Sequence, residues 1–222
     1  DASECPPTYG VSQDLFVGLM AGGKDAMFEA KEGEEDSRQS GKNDLEAVDL
    51  TKKDIVFGLA ASGRTPYVLG ALDYGNEVGA LTISLCCVSS GEISSHATYA
   101  LEVITGPEAV TGSTRMKAGT AQKMVLNMFS STLMIKAGKV YENLMVDVRP
   151  TNEKLVKRAC RIISTCCDIS DDQAHAYLLQ AKGEVKVAII MCLAHCTSEE
   201  AQSILEKHHG HVAKAMRAYT KC

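Results

Sequence analysis

The 222-residue sequence contains no tryptophan, and only 5% of its residues are aromatic. Platforms on which bases could stack are therefore not expected. Basic side chains are outnumbered by acidic ones, 23 to 28, giving a net charge of −5 and a pI near 5.7. That balance argues against a nucleic-acid surface. No run of about 18 apolar residues occurs, so no spanning helix is expected, and no signal peptide is visible. Nine cysteines are present, but none falls in a Cys-x-x-Cys pair. Cys86-Cys87 and Cys166-Cys167 are adjacent pairs inside apolar runs, and read as reduced thiols of a cytoplasmic protein. Cys192, His195 and Cys196 fit one helix face, and His208, His209 and His211 cluster; core and surface roles are a simpler reading of them than zinc. No P-loop and no dinucleotide fingerprint is found.

What is present begins with apolar content of 45%, enough for one good core and a small second domain. Ile55-Val56-Phe57 leads into Gly58-Leu59-Ala60-Ala61-Ser62-Gly63-Arg64-Thr65-Pro66, a strand, a small-residue loop and a helix start. Unpaired N–H groups and the positive dipole end suit such a start to an anion. Ser62 and Thr65 add hydroxyls, Gly63 allows close backbone approach, and Pro66 fits the first helical position. On spacing alone this is equally an ordinary strand-to-helix turn.

Taken in order, Asp1 to Cys5 reads as a helix end stopped by Pro6-Pro7. Leu15 to Met20 reads as a buried parallel strand, broken by Gly22-Gly23. Lys24 to Lys31 reads as a helix with Ala26, Met27 and Ala30 on its apolar side. The acidic run Glu32-Gly33-Glu34-Glu35-Asp36 alone reads as a solvated loop. A short helix is expected at Asp44 to Val48, and strands at Ile55–Leu59, Leu81–Cys86 and Tyr99–Ile104. Pro66 to Val78 is expected as a helix with Val68, Leu69, Leu72 and Val78 inward. Strands alternating with helices imply βαβ units and a parallel sheet, with ligands beyond the carboxyl ends of its strands. Thr114 to Lys136 is the longest helical stretch, with Met124, Val125, Met128, Leu133 and Ile135 as core. Arg115 and Lys117 at its start oppose the helix dipole, which suits an anionic ligand or partner as well as two side chains pointing to water. After Asp147 strand signals end. Asn152–Thr165 reads as a helix, and Ser170-Asp171-Asp172-Gln173 and Thr197-Ser198-Glu199-Glu200 are capping boxes.

The stretch Ala60 to Tyr67 resembles the phosphosugar loop of the sugar-isomerase (SIS) domain family. Together with Asp1–Gly10, Glu32–Ser37, Thr111–Lys123 and Asn143–Val148, it resembles more narrowly the bacterial N-acetylmuramic acid 6-phosphate etherases, along essentially the whole chain. The resemblance implies an α/β fold of flavodoxin-like, three-layer αβα type. Residues 1–150 would form the SIS phosphosugar-binding domain. Residues 151–222 would form a helical region with a small bundle, similar in kind to ubiquitin-associated folds, from about 168. Relatives carry an upstream strand and a second phosphate loop before the Asp-Ala-Ser-Glu stretch, so the chain is expected to be an N-terminally truncated form.

The implied reaction cleaves the D-lactyl ether of N-acetylmuramic acid 6-phosphate, in the recycling of cell-wall amino sugars. Two carboxyl groups would serve it, and no metal or redox cofactor is required. By the resemblance, Glu35 is the base at C2 and Glu4 the acid at the lactate oxygen. A helix C-terminus, where Glu4 is expected, disfavours a charged carboxylate. Ser62, Gly63, Arg64 and Thr65 would hold the 6-phosphate, and Ser113, Arg115 and Lys117 the lactyl carboxylate or sugar. The implied partners are the phosphosugar and a second copy of the chain, in a homodimer. One departure stands out: relatives carry Cys-Asn-Pro-Gly where this chain has Cys87-Val88-Ser89-Ser90, and Val88 cannot supply an amide contact. Two other readings share the loop. A sugar-phosphate sensor of the glucokinase-regulatory-protein type needs neither glutamate, and an aldose–ketose isomerase does not account for both glutamate motifs.

Overall fold

The computed structural model describes residues 1–29, 31–148 and 150–219. Its elements are α1 (Cys5–Tyr9), α2 (Arg38–Glu46), β1 (Ile55–Leu59), α3 (Pro66–Val78), β2 (Leu81–Cys86), β3 (Tyr99–Glu102), α4 (Lys117–Lys136), β4 (Val140–Tyr141), β5 (Leu144–Met145), α5 (Glu153–Cys167), α6 (Asp171–Gln180), α7 (Val185–Ala194), α8 (Ser198–Lys207) and α9 (Val212–Tyr219). The chain is therefore α/β. It divides into two compact units. One comprises residues 1–17 and 128–222, the other 18–127, with the residues of α4 shared between them.

The second unit holds a parallel sheet in the order β1-β2-β3. Phe57 pairs with Ile83, and Ile83 with Tyr99. Three of the predicted strands thus form one sheet, the third ending at Glu102 rather than Ile104. α3 has the predicted bounds and buries Val68, Leu69 and Leu72, while Val78 is half-buried. It packs on the sheet because Gly58 leaves room for Val68 and Leu72. α2 begins at Arg38, six residues before the expected Asp44, because Ser37 accepts a hydrogen bond from the Ser40 N–H and caps it. α2 and α3 approach through glycine: a Cβ on Gly70 would lie 2.0 Å from the Arg38 carbonyl oxygen, and one on Gly41 2.0 Å from that of Tyr67.

Three expectations fail in the first third of the chain. Leu15 to Met20 is not a strand: Gln13–Leu15 is a 3₁₀ turn, and Leu15 and Val17 are 52% and 56% exposed. A buried parallel strand needs neighbours to satisfy its backbone, and none of β1–β3 pairs with this run. The helix expected over Lys24–Lys31 is a 3₁₀ turn at Lys24–Met27 with Met27 exposed; Ala30 lies outside the described residues. Pro6-Pro7 does not stop a helix but starts α1, at positions where the missing N–H costs nothing.

In the first unit, α5–α9 enclose a core that includes Ile163, Leu178, Ile189, Ile190 and Leu205. Asn152 caps α5 by accepting from the Leu155 N–H. Both predicted capping boxes form, Ser170 with Gln173 on α6 and Thr197 with Glu200 on α8. The β4–β5 hairpin runs into Val146 and Val148, which are buried in the same core. α4 departs from expectation on one face. Met134 is buried and Val125 and Leu133 are half-buried, but Met124, Met128 and Ile135 are 59%, 58% and 54% exposed. The apolar residues of this helix are spread around it, so periodicity could not select the inward side.

Candidate functional site

The loop after β1 is built by backbone pairing at the carboxyl end of the sheet. The Ala60 N–H donates to the Leu85 carbonyl at 3.0 Å, and the Cys87 N–H to the Ala61 carbonyl at 3.0 Å. The chain then turns at Gly63, whose N–H donates to the Ala60 carbonyl at 2.9 Å and whose φ is +71°. Only glycine takes that conformation here without strain. It also has no room for a side chain, because a Cβ would lie 2.7 Å from the Gly91 Cα and 3.0 Å from a Val88 methyl. Ser62 and Arg64 are exposed and Thr65 is half-buried. Thr65 is the N-cap of α3, yet its side chain makes no capping bond. The hydroxyl is therefore not committed to the helix it precedes. Two residues on, the Tyr67 hydroxyl donates to Asp44 at 2.6 Å, and burial, then that carboxylate, pushes the phenol upward.

Cys87 joins this loop to the start of α4. Its N–H meets Ala61, and its thiol donates to the Ala118 carbonyl at 3.7 Å. Burial, then the neighbouring Cys86 and Glu108, raises that thiol. α4 starts at Lys117, three residues later than predicted, because Glu108 caps it. One carboxylate oxygen accepts from the Lys117 N–H at 3.0 Å and the other from the Ala118 N–H at 2.9 Å. The Ala118 and then the Lys117 N–H hold this carboxyl below its ordinary range. Glu108 thus places a carboxylate on the free N–H groups at the start of this helix. Ser113 is half-buried, with its N–H on the Val110 carbonyl, while Arg115 and Lys117 are exposed. Sequence reasoning missed Glu108 because it precedes the helix by nine residues, far outside capping-box spacing.

Glu35 lies on the 3₁₀ turn Glu34–Asp36, after Gly33 at φ +83°, and is exposed. This turn packs against α3. The adjacent Glu34 differs: its stem lies against Gly22, 3.3 Å from where a Cβ would stand. Arg38, just after the turn, pairs with Asp73 of α3 at 3.3 Å and with Glu92 at 3.2 Å. The second unit thus carries Glu35, the Ser62–Thr65 loop and the Ser113–Lys117 segment.

Glu4 belongs to the first unit. It is exposed and sits where the 3₁₀ turn Ala2–Glu4 passes into α1, as that helix's N-cap. The expected position at a helix C-terminus is therefore reversed. α1 ends at Gly10, which meets the Asp147 backbone; a Cβ there would lie 2.4 Å from the Asp147 carbonyl oxygen. The Tyr9 hydroxyl donates to Ser131 at 3.2 Å. Two of the five motif stretches are in this way docked on one another. Asp147 in turn pairs with Lys139 at 2.9 Å and Lys186 at 2.6 Å. Among the described residues, no group of three or more His, Cys, Asp or Glu side chains is placed to hold a metal ion.

Comparison with known proteins adds the family context. Residues 42–131 match the family described as SIS domain. Residues 4–76 match that described as glucokinase regulatory protein N-terminal SIS domain, and 142–187 that described as C-terminal lid domain of glucokinase regulatory protein. A relative from Clostridium botulinum, named N-acetylmuramic acid 6-phosphate etherase, is 54% identical over 98% of this chain and 72% of its own length. Relatives of the same name from Lactobacillus gasseri and Halalkalibacterium halodurans are 53% and 55% identical, over 97% of this chain and 73% and 72% of their own lengths.

Proposed function

The chain belongs to the N-acetylmuramic acid 6-phosphate etherase family, a group of carbon–oxygen lyases, and we propose that its own residues run that reaction by elimination and hydration. Its substrate is N-acetylmuramic acid 6-phosphate, and its products are N-acetylglucosamine 6-phosphate and D-lactate. The observation that carries the activity is identity above 50% along nearly the whole chain to relatives named for it.

An ether oxygen is a poor leaving group, so both ends of the eliminated pair need help. In the open-chain sugar the aldehyde acidifies the C2 proton. Glu35 takes that proton as the lactyl C3–O bond breaks. Glu4 protonates the departing lactate oxygen, leaving a C2–C3 double bond. The ionised Glu4 then draws a proton from water as it adds at C3, and Glu35 returns a proton to C2. Both carboxylates are exposed to solvent, so each is accessible to water.

The Ser62–Thr65 loop holds the 6-phosphate. Support comes from the start of the 13-residue α3, the uncommitted Thr65 hydroxyl and the tight turn at Gly63. Arg64 is exposed beside that turn and adds positive charge. Ser113, Arg115 and Lys117 serve the lactyl carboxylate or the sugar, and Cys87, which bonds to Ala61 just before the loop and to Ala118 just after that segment, supports grouping them with the phosphate loop. The wider setting we propose is cytoplasmic recycling of cell-wall amino sugars by a homodimer, with residues 1–150 as the phosphosugar-binding domain and 151–222 as a helical region.

The test is D-lactate release from N-acetylmuramic acid 6-phosphate, with binding of N-acetylglucosamine 6-phosphate measured alongside. Glu4→Gln and Glu35→Gln are each expected to abolish release while the product sugar still binds. Retained turnover in either variant removes that residue from the mechanism. Sugar binding without release in the unsubstituted chain would favour a sensor of the glucokinase-regulatory-protein type, the reading that the matches at 4–76 and 142–187 keep alongside.

A further inference from the structure

Glu102 ends β3, opposite Cys86 at the end of β2. Its carboxylate gathers the segment that follows β2. One oxygen accepts from the Ser90 N–H at 3.0 Å and the other from the Ser94 hydroxyl at 2.6 Å. The Gly91 N–H is a third donor toward it. Ser90 needs such a hold, because it stands at φ +53°, in the left-handed region that a residue with a Cβ rarely adopts. The segment so gathered is the one against which Gly63 is seated. The Ile93 N–H donates to the Gly63 carbonyl at 2.9 Å, and the Gly91 and Gly63 backbones are in van der Waals contact, with no space for a Cβ on either.

We propose that Glu102 is a positioning residue for the phosphosugar: its carboxylate fixes Ser90–Ser94, and that segment sets the backbone of the Ser62–Thr65 loop. The proposal rests on the reading that this loop holds the 6-phosphate. A carboxylate is suited to the place because it is acceptor-only and two of the three converging donors are backbone N–H groups that cannot turn away. The same donors, Ser94 and Ser90 foremost, hold the Glu102 carboxyl below its ordinary range, so the clamp stays charged at neutral pH. Glu102 makes no contact with the reacting carbons in this role. Its effect falls on ground-state and transition-state binding of the phosphate alike, which is read in KM and not in kcat.

The experiment measures kcat and KM for lactate release, and the inhibition constant of inorganic phosphate, in the full chain carrying Glu102→Ala, Glu102→Gln or Ser94→Ala. Glu102→Ala should raise KM and the phosphate constant about tenfold, with kcat within about threefold of the unsubstituted chain. Glu102→Gln keeps one acceptor and should recover most of the loss, while Ser94→Ala should raise both constants about threefold. A folded Glu102→Ala variant with unchanged KM and phosphate constant overturns the proposal. So does a fall in kcat at constant KM, which would put Glu102 in the chemistry. Should Glu102→Ala not fold, unchanged constants in both Glu102→Gln and Ser94→Ala overturn it instead. Ser62→Ala, run in parallel, separates the two levels. If it weakens phosphate while the Glu102 variants do not, only the positioning role falls. If neither weakens phosphate, the phosphate-loop reading falls and takes the positioning role with it.

Discussion

At the scale of single residues, Gly63 concentrates two independent demands. Its φ of +71° excludes side chains on conformational grounds, and the Gly91 Cα at 2.7 Å excludes them sterically. Alanine there should cost about 1–3 kcal/mol from backbone strain alone, and the clashing atom is backbone, which cannot rotate aside. The check is a denaturant midpoint, alongside the phosphate inhibition constant; a midpoint within error of the unsubstituted chain would refute the seating of Gly63 on Gly91. Val88 is a softer neighbour. Its methyl touches the place where that Cβ would stand, so Val88→Ala should relieve part of the Gly63→Ala penalty in a double-mutant cycle. The turn at the small-residue loop was legible in the sequence from residue chemistry, whereas Glu4 and Glu35 were singled out only by resemblance. Glu102 and Glu108 were not legible, because each acts on donors brought near by the fold, with no local spacing to announce it.

Among the elements, those with local punctuation were read correctly. β1 and β2 are short apolar runs bounded by turn residues, α3 opens on proline and closes on Gly79 in the left-handed region, and α5, α6 and α8 carry side-chain caps. Two of the failures depended on a partner that the local pattern does not contain. The Leu15–Met20 run has strand composition without a paired strand. α4 has apolar residues on several faces, and its start was set by a distant carboxylate. The caps give a direct test. Ser170→Ala and Thr197→Ala each remove the side-chain acceptor from a capping box and should each lower stability by about 1 kcal/mol, read as a lower denaturant midpoint at unchanged slope. The same replacement at Thr65, whose side chain caps nothing, should leave stability nearly unchanged and act on phosphate instead. A stability loss at Thr65 as large as at Ser170 would contradict its uncommitted hydroxyl.

For the whole molecule, the groups displaced from their ordinary titration divide between the two units and set different pH limits. In the 18–127 unit, hydrogen bonds hold Asp54, Glu102 and Glu108 below their ordinary values of 3.8, 4.5 and 4.5. The unfolded chain takes up these protons first as pH falls, so their contribution is complete above about pH 4.5 and is lost only below it. In the other unit, burial and the nearby Lys214, Lys186 and His209 hold His211 below 6.5. Here too the unfolded chain binds the proton first, so that unit begins to lose stability as pH drops under 6.5. At the alkaline end, burial raises Cys5, Cys160 and Cys196 above 9.0 and pushes Cys166 up to about 11 in this unit, and raises Cys87 in the 18–127 unit. Unfolding is then favoured above pH 9, where exposed thiols ionise first. The unit that holds His211 should therefore be the first to lose stability as pH falls, between about pH 6.5 and 4.5, and the one that loses more above pH 9, with a plateau between about pH 6.5 and 9. Amide hydrogen exchange at pH 5.5 against pH 7.5 checks this, after correction for intrinsic rates. Protection should fall along α7 and α9 and hold along β1 and β2. His211→Asn, which cannot titrate, should remove the difference along α7 and α9. Equal loss in both units, or a difference that survives His211→Asn, would place the acid sensitivity elsewhere.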